Sequence, residues 1–232
     1  MAPFGASRAG LMSTRVDAIP DSEIYLQDDW GDNKLTDREG SATTTYNGVE
    51  GVYRPEWTTL RGSASVSDGS LSFDSDTSTL VANINLNLDS EIRWWFKFDD
   101  QGGRNVFGLF SETDSTTSSD SWDSVEDSYV LANSNSDGLC RLVKPASGGS
   151  GTDVINADGN EISSGYIGAI RESSGGFELF VTSGDLDNPD TELFDSGNSV
   201  GTGSDTEHSN PQYIPLSQTA DTNSEIHQIK VF

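Results

Sequence analysis

Lysine is scarce in this chain: only four of its 232 residues are lysine, beside nine arginines. Against these cations stand 25 aspartates and 13 glutamates, so the formal net charge at pH 7 is −25. A soluble domain usually carries a net charge of magnitude roughly 2–8, and self-repulsion on this larger scale opposes compaction in dilute buffer. At molar salt the Debye length falls to about 3 Å, which screens the repulsion. The composition therefore predicts a protein of a hypersaline environment.

A basic surface, paired cysteines and long apolar runs are also missing. Without a basic patch to meet phosphates, we expect no nucleic-acid binding. The single Cys140 excludes an internal disulfide and multi-cysteine zinc sites. Its neighbours Leu139, Leu142 and Val143 indicate a buried, apolar position. No stretch approaches the ~20 apolar residues of a membrane span, so we expect none.

Residues 1–20 differ from the rest of the chain. They hold two arginines and one acid, Asp17, and they lack the charged and apolar regions of a secretory signal. We expect an N-terminal arm that docks on its own domain or on another subunit, followed by one domain over residues 21–232. We also expect synthesis in a host cytoplasm, without a signal peptide.

Alternating apolar and polar residues predict strands through the domain. Over 80–88 every second residue from Leu80 is apolar, and over 91–98 a row of large apolar residues opposes a face that carries Trp95. This period of two is that of half-buried antiparallel strands. Further strands are predicted at 24–26, 71–73, 105–110, 128–132, 138–143, 165–171, 176–182, 191–194 and 225–232. The segment 196–224 is interpreted as a long connection.

Many short strands with Gly, Ser, Asp and Asn turns, and almost no helical periodicity, predict an all-β fold. The expected architecture is an antiparallel two-sheet sandwich of the jelly-roll type. Its predicted core includes Leu80, Ile84, Leu86, Ile92, Trp94, Phe96, Phe98, Phe177, Leu179 and Val181.

Three parts of the chain resemble the concanavalin A-like lectin and glucanase superfamily, especially its laminin-G-like members. Segments 24–30 (IYLQDDW) and 66–73 (VSDGSLSF) are similar to the first strand and the turn region that follows it. Segment 91–98 (EIRWWFKF) resembles the Trp/Phe-rich central strand, and 225–232 (EIHQIKVF) resembles the terminal strand that returns beside the first. The resemblance covers about residues 21–232 and implies the jelly-roll fold.

The arm, the acidity and the missing signal together resemble virion proteins of haloarchaeal tailed viruses. That resemblance implies a non-enzymatic structural or adhesion subunit of a tail fibre, a baseplate or a capsid turret or decoration. Its partners would be other virion proteins, copies of itself (a trimer, by analogy with fibres) and a glycan or protein of the host surface. The alternatives are a cellular carbohydrate-binding protein of a halophile and a glycoside hydrolase.

Two tryptophans are candidate sugar-binding residues. Trp95 lies on the polar face of its strand between Arg93 and Lys97, and Trp122 lies in the Ser/Asp-rich segment 111–128. Lectin-like sandwiches bind sugars with exposed aromatic side chains, whose apolar faces stack on the ligand. The alternative for Trp95 is a position covered by the N-terminal arm or by a neighbouring subunit.

Candidate metal ligands are Asp185, Asp187 and Asp190, because Ca²⁺ prefers clustered carboxylate oxygens. The spacing lacks the glycine and glutamate of an EF-hand loop, so solvated loop carboxylates are the alternative. Residues 148–156 fit a calcium-binding nonapeptide once, and a single copy favours a turn between strands. His208 and His227 show no metal or triad spacing, and His227 is predicted on the last strand.

Catalysis is not expected. Retaining glucanases of the similar superfamily carry Glu-x-Asp-x-x-Glu on one strand, which places two carboxyl groups about 5–5.5 Å apart. The nearest match begins at Glu112, and Thr117 stands where the second glutamate is required.

The charge imbalance makes a prediction about stability. We expect the melting temperature to fall as NaCl is lowered from molar concentration to about 0.1 M, because the Debye length grows to about 10 Å and like charges repel. Thermal unfolding followed by circular dichroism across that range measures the effect. A melting temperature that does not depend on salt would contradict the halophilic interpretation.

Overall fold

The computed structural model describes residues 26–37, 44–46, 49–51, 55–73, 77–83, 91–99, 104–110, 128–144, 151–207, 213–219 and 224–232. The predicted N-terminal arm, Ile84, Leu86, the Glu112 motif, Trp122 and His208 lie outside the described residues.

The described elements are almost entirely strands, with one short helix. In chain order they are β1 (Leu26–Asp28), β2 (Thr44–Tyr46), β3 (Val49–Gly51), β4 (Thr58–Arg61), β5 (Ala64–Ser67), β6 (Ser70–Phe73), β7 (Thr77–Asn83), β8 (Ile92–Asp99), β9 (Arg104–Phe110), β10 (Ser128–Ser134), β11 (Leu139–Lys144), β12 (Thr152–Asn156), β13 (Ser164–Arg171), β14 (Gly176–Thr182), α1 (Pro189–Glu192), β15 (Ser199–Ser204), β16 (Tyr213–Thr219) and β17 (Glu225–Val231).

Two antiparallel sheets form the body of the protein. Sheet I has the strand order β15-β14-β13-β8-β17-β6-β5, and β1 also pairs with β17. Sheet II has the order β12-β11-β10-β9-β16-β7-β4, and β2 with β3 forms a separate hairpin. The last strand returns beside the first, with Leu26 opposite Val231 and Asp28 opposite Ile229. The predicted all-β jelly-roll sandwich is confirmed.

Strand β8 lies in the middle of sheet I and places large side chains in the core. It pairs with β13 on one side and with β17 on the other. Its inward residues are fully buried, and Trp94 meets Phe177 edge-on with ring centroids 6.4 Å apart. Trp95 faces away from the core, so the predicted register is correct. The main core contains every described member of the predicted set: Leu80, Ile92, Trp94, Phe96, Phe98, Phe177, Leu179 and Val181.

A β-bulge keeps the final strand in register with β8. The apolar residues Ile226, Ile229 and Val231 all belong to the core, although the first two are three residues apart. The pairing with β8 shifts between Ile226 and Gln228. His227 is the extra residue, and a bulge of this kind restores the alternation of inward and outward side chains.

The predicted strand at 191–194 is wrong, because a helical turn occupies this region. Pro189 stands at the start of α1, where its fixed φ suits the first helical position. The Glu192 Oε2 atom accepts hydrogen bonds from the backbone N–H groups of Asp187 and Asn188, at 2.9 and 3.2 Å. These bonds close the turn and leave the segment without a strand partner in the described sheets.

The segment 196–224 is not a continuous connection, since it contains β15 and β16. Proline removes a ladder donor and is usually found on edge strands, and β16 contains Pro215. Strand β16 nevertheless lies between β7 and β9, and its pairing with β9 omits Ile214 and Pro215. Strand β15 reads SVGTGS, a composition with little intrinsic strand preference.

Glycines in β15 let the edges of the two sheets approach each other. A Cβ atom added at Gly203 would lie 2.2 Å from the backbone oxygen of Val154 in β12, and one at Gly201 would lie 2.7 Å from Ile155 Cγ2. Only a residue without a side chain permits this contact. The sandwich is therefore closed along this side by backbone packing.

This contact predicts that Gly203→Ala destabilises the fold. Forcing a methyl group into a packed site costs about 1–3 kcal/mol, and here the obstacle is backbone, which cannot rotate away. Thermal or urea unfolding in molar NaCl measures the change. Thr202→Ala, an exposed position on the same strand, is the control and should change stability far less. Equal stability of both variants would contradict the close approach.

Candidate functional site

The outer face of sheet I, opposite the core, carries a second aromatic cluster. It is formed by Trp95, Tyr166, Phe180, Leu193 and Phe232, all of them buried. Trp95 itself is only 1% exposed. The expectation that Trp95 presents an open ring for a sugar is therefore wrong in this structure. The alternative expectation was that the N-terminal arm or a neighbouring subunit covers Trp95. In the described structure, a segment of the same β-sandwich domain covers it.

The cover is the segment between β14 and β15, residues 183–198, which we call the strap. Leu193 of the strap is fully buried and lies over Gly168, which pairs with Trp95 in the neighbouring strand. A Cβ atom added at Gly168 would lie 2.8 Å from Leu193 Cδ2 and 2.9 Å from Trp95 Cβ. The glycine thus makes a notch for Leu193. Phe194 packs beside it, with its ring centroid 5.2 Å from that of Phe180.

Asp190 fastens the strap to the sheet. Its Oδ1 atom accepts a hydrogen bond from Trp95 Nε1 at 3.0 Å, and its Oδ2 atom is paired with the ammonium group of Lys230. The Lys230 side chain is only 10% exposed, and its Nζ atom lies 5.3 Å from the centroid of the Phe232 ring. Both carboxylate oxygens of Asp190 are therefore committed to the sheet.

The proposed calcium ligands do not converge. Asp190 is held by Trp95 and Lys230, whereas Asp185 Oδ1 lies 3.9 Å from Lys97 Nζ and Asp187 is exposed. In the part of the chain that the structure describes, no group of three His, Cys, Asp or Glu side chains is arranged to hold a metal ion. The prediction of this site is wrong, because the helical turn points Asp190 at the sheet.

A polar pocket opens beside the strap, at one end of the outer face of sheet I. It has a volume of about 310 Å³. Its lining comes from the ends of three strands and from the first residues of the strap: Lys97, Asp99, Ser164, Gly165, Ser183, Asp185 and His227. Lys97 and Asp99 alternate with core residues on β8, and the bulge of β17 brings His227 beside them. The pocket is the candidate functional site.

One hydrogen-bonded pair and one ion pair lie among the side chains of the pocket. His227 Nε2 lies 3.2 Å from Asp99 Oδ2, and Lys97 Nζ lies 3.9 Å from Asp185 Oδ1. Lys97 also lies over the ring of Tyr166, 5.3 Å from its centroid. Both pairs are open to water, and the Asp185 side chain is fully exposed, so a ligand can replace one partner without leaving a buried charge unpaired.

The pocket offers hydrogen-bond donors and acceptors side by side. The Lys97 ammonium group donates, the Asp99 and Asp185 carboxylates accept, and Ser164 and Ser183 do both. One lysine and two aspartates give a formal charge of −1 with neutral histidine, so an anionic ligand is disfavoured. Since each sugar hydroxyl both donates and accepts, the lining suits a hydroxyl-rich neutral molecule.

Sequence reasoning missed most of this pocket. Lys97 was noted only as a neighbour of Trp95, and Asp99, Ser164 and Ser183 carried no motif. The one feature of the sequence that could have indicated this site is that Asp99 and Ser164 lie at the ends of predicted strands. His227 was correctly predicted on the last strand, but its position in a bulge depends on the pairing with β8.

A second set of charges ties the ends of β10, β11 and β15 together. Lys144 Nζ lies 2.7 Å from Asp205 Oδ2, and the hydroxyl of Tyr129 donates to Asp205 Oδ1 at 2.6 Å. Burial raises the pKa of Asp205, but the hydrogen bonds from Lys144 and Tyr129 outweigh it and hold that pKa below its usual range. Hydrogen bonds to Asp205 and Glu207 raise the pKa of Lys144.

Arg141 occupies the centre of a neighbouring cluster. It pairs with Asp153 at 3.1 Å and with Asp158, whose pKa is lowered chiefly by the hydrogen bond from Arg141. Asp153 is the acid of the nonapeptide-like segment. Cys140 is buried as predicted, and desolvation with the nearby Asp158 raises the pKa of its thiol to about 12. These groups stabilise the structure and leave the thiol protonated and unreactive.

Comparisons with known proteins define the class of fold. No protein-family model matches the sequence, and no curated protein sequence matches it. A structure described with endo-acting O-glycanases of human gut microbiota that initiate mucin breakdown has a TM-score of 0.51 and 9% identity over 90% of this chain and 98% of that chain. The Emp47p carbohydrate recognition domain has a TM-score of 0.45 and 12% identity, covering 76% of this chain and 87% of that one.

A β-glucanase from Bacillus licheniformis also matches, with a TM-score of 0.45 and 9% identity over 75% of this chain and 91% of that chain. At these identities the comparisons establish the fold alone. The chain has the antiparallel jelly roll of concanavalin A-like lectin and glucanase domains. No helix among the described residues has the length and apolar character needed to cross a membrane.

The lowered pKa of Asp205 predicts an acid-dependent loss of stability. A carboxyl with a depressed folded-state pKa adds stability above its unfolded-state pKa of about 3.9, and this stability is lost as the pH falls through the folded-state value. Asp205→Asn should cost about 1.5–3 kcal/mol at neutral pH and a smaller amount at acid pH. The free energy of unfolding at several pH values in molar NaCl measures the difference. Asp195→Asn, an exposed aspartate, should show neither effect; a cost for Asp205→Asn that persists undiminished at acid pH would contradict the ion-pair explanation.

Proposed function

We propose that this chain is a non-catalytic binding module whose ligand is a neutral glycan and whose binding site is the polar pocket of sheet I. The observation that carries the proposal is the lining of the pocket, in which Lys97, Asp99, Asp185 and His227 place donors and acceptors around one cavity. The lectin-like fold supports it, since domains of this shape include carbohydrate recognition domains.

Polar recognition replaces the aromatic stacking that the sequence suggested. None of the described residues that line the pocket is Phe, Tyr or Trp, and Trp95 lies beneath the strap. Specificity then rests on the hydroxyl pattern of the ligand, because a polar group that the ligand buries without giving it a hydrogen-bond partner costs about 1–3 kcal/mol. Stacking by Trp122 remains a prediction on residues outside those described.

At the level of biology, we propose a structural or adhesion subunit on the particle of a haloarchaeal virus. The net charge of −25 supports a hypersaline setting, and the resemblance to virion proteins supports the particle. A glycan on the host surface is then the natural ligand, and copies of the chain and other virion proteins are its partners. Proteomics of purified particles against host cell-wall fractions tests this assignment; detection only in the cell wall would favour the cellular carbohydrate-binding alternative.

Removal of the Asp99 carboxylate should abolish most of the binding. A glycan array probed in molar NaCl identifies the ligand, and calorimetry with that glycan gives the affinity. Asp99→Ala removes an acceptor and the partner of His227, so we expect about a tenfold or larger loss of affinity.

The control for this experiment is Asp195→Ala, which removes an exposed carboxylate outside the pocket and should leave the affinity unchanged. Equal affinity of wild type and Asp99→Ala would show that the glycan does not bind in this pocket. Release of sugar from the bound glycan, followed by chromatography, would overturn the non-catalytic assignment and favour a hydrolase.

A further inference from the structure

The strap divides the outer face of sheet I into an open part and a closed part. Along β8 the outward side chains are Asp99, Lys97, Trp95 and Arg93. The first two line the pocket. Trp95 is covered by Leu193 and Asp190, and Arg93 lies beside Phe194, with its guanidinium carbon 5.5 Å from the ring centroid. The boundary between the open part and the closed part of this face therefore lies between Lys97 and Trp95.

The open part is short. Outward positions on a strand repeat every two residues, or about 7 Å, so Asp99 and Lys97 span roughly the length of one pyranose ring. The volume of about 310 Å³ lies at the lower end of the range for ligand pockets, roughly 300–1,000 Å³. A ligand that enters over Asp99 meets the Asp190–Trp95 contact where a second sugar ring would continue along the strand.

The closed part is held by packing and by a partly buried ion pair. Leu193 fits the notch above Gly168, and Asp190 joins Trp95 to Lys230. Opening the strap would expose Trp95 and leave Lys230, whose side chain is 10% exposed, without its counter-ion. Exposure of the aromatic cluster beneath the strap is unfavourable, and so is loss of the ion pair, so the strap stays in place when a ligand binds.

We infer that the strap makes this a site for the terminal unit of a glycan, and that it excludes the internal units of a chain. The inference rests on the proposed function, since it specifies which part of a glycan enters the same pocket. The strap is thus a specificity element: Asp185 forms one wall of the pocket, and Asp190 fixes the barrier at its inner end.

A series of ligand lengths tests the inference. The probe is the neutral monosaccharide that ends the glycan found on the array, with its disaccharide, trisaccharide and tetrasaccharide, titrated by calorimetry in molar NaCl. We expect affinities that agree within about threefold across the series, and loss of binding after an exoglycosidase removes the terminal unit. Affinity that rises about tenfold or more with each added unit would overturn the inference while the proposed function stands. Failure of every glycan on the array to bind would refute the proposed function itself.

A matched pair of strap variants tests the cause. Asp190→Asn removes the charge that pairs with Lys230, and Asp187→Asn makes the same change at an exposed strap position outside the pocket. Hydrogen–deuterium exchange over residues 183–198 should quicken about tenfold or more in Asp190→Asn alone. The trisaccharide should then bind more tightly than the monosaccharide in that variant, because Trp95 becomes available for stacking.

Each other outcome counts against the strap. Unchanged exchange in Asp190→Asn would show that this carboxylate does not hold the strap. Faster exchange with the same flat dependence on ligand length would show that the strap does not limit the site. Leu193→Ala provides a second way to loosen the strap without altering any charge, and the same two measurements apply to it.

Discussion

The constraint on which the structure depends is that strand β8 carries large aromatic side chains on both of its faces. Its inward residues, among them Trp94 and Phe96, fill the core between the sheets. Trp95 on the outer face is just as large and must also be removed from water, since burial of such a side chain stabilises a fold by about 1.5–3 kcal/mol or more. The strap satisfies this requirement: Leu193 covers the ring, and Asp190 accepts its N–H group.

The pocket follows from the same arrangement. The strap starts where β14 ends and covers the sheet only from Trp95 onward, so the outward residues Lys97 and Asp99 remain accessible. The bulge in β17 adds His227 to them, and the first strap residues contribute Ser183 and Asp185. In a chain with so few lysines, two of the four have defined roles on this face: Lys97 lines the pocket and Lys230 pairs with Asp190. The few cations are thus placed where a carboxylate requires a partner.

The sequence predicted the core of the fold well and the site poorly, for a physical reason. A half-buried strand must alternate, so the faces of β8 and of β14 can be read directly from the order of their residues. A site instead joins residues that are distant in the chain: Asp99, Ser164 and His227 share a cavity because β8, β13 and β17 are neighbours. The same limit explains the errors at 191–194 and 196–224. The helical turn depends on hydrogen bonds to Glu192, and β16 depends on pairing with strands on both of its sides. The local strand or helix propensity of the residues does not predict these contacts.

Composition alone determined the acidity of this protein and its predicted dependence on salt, because net charge needs no structure. Periodicity alone determined that it is an all-β sandwich and that Trp94 faces inward. Only the tertiary structure decided the state of Trp95, since an outward tryptophan is exposed or covered according to what the rest of the chain lays over it. It likewise decided that Asp190 anchors a strap and does not join a metal site, because the direction of a carboxylate is set by the turn that carries it and by the charge it meets.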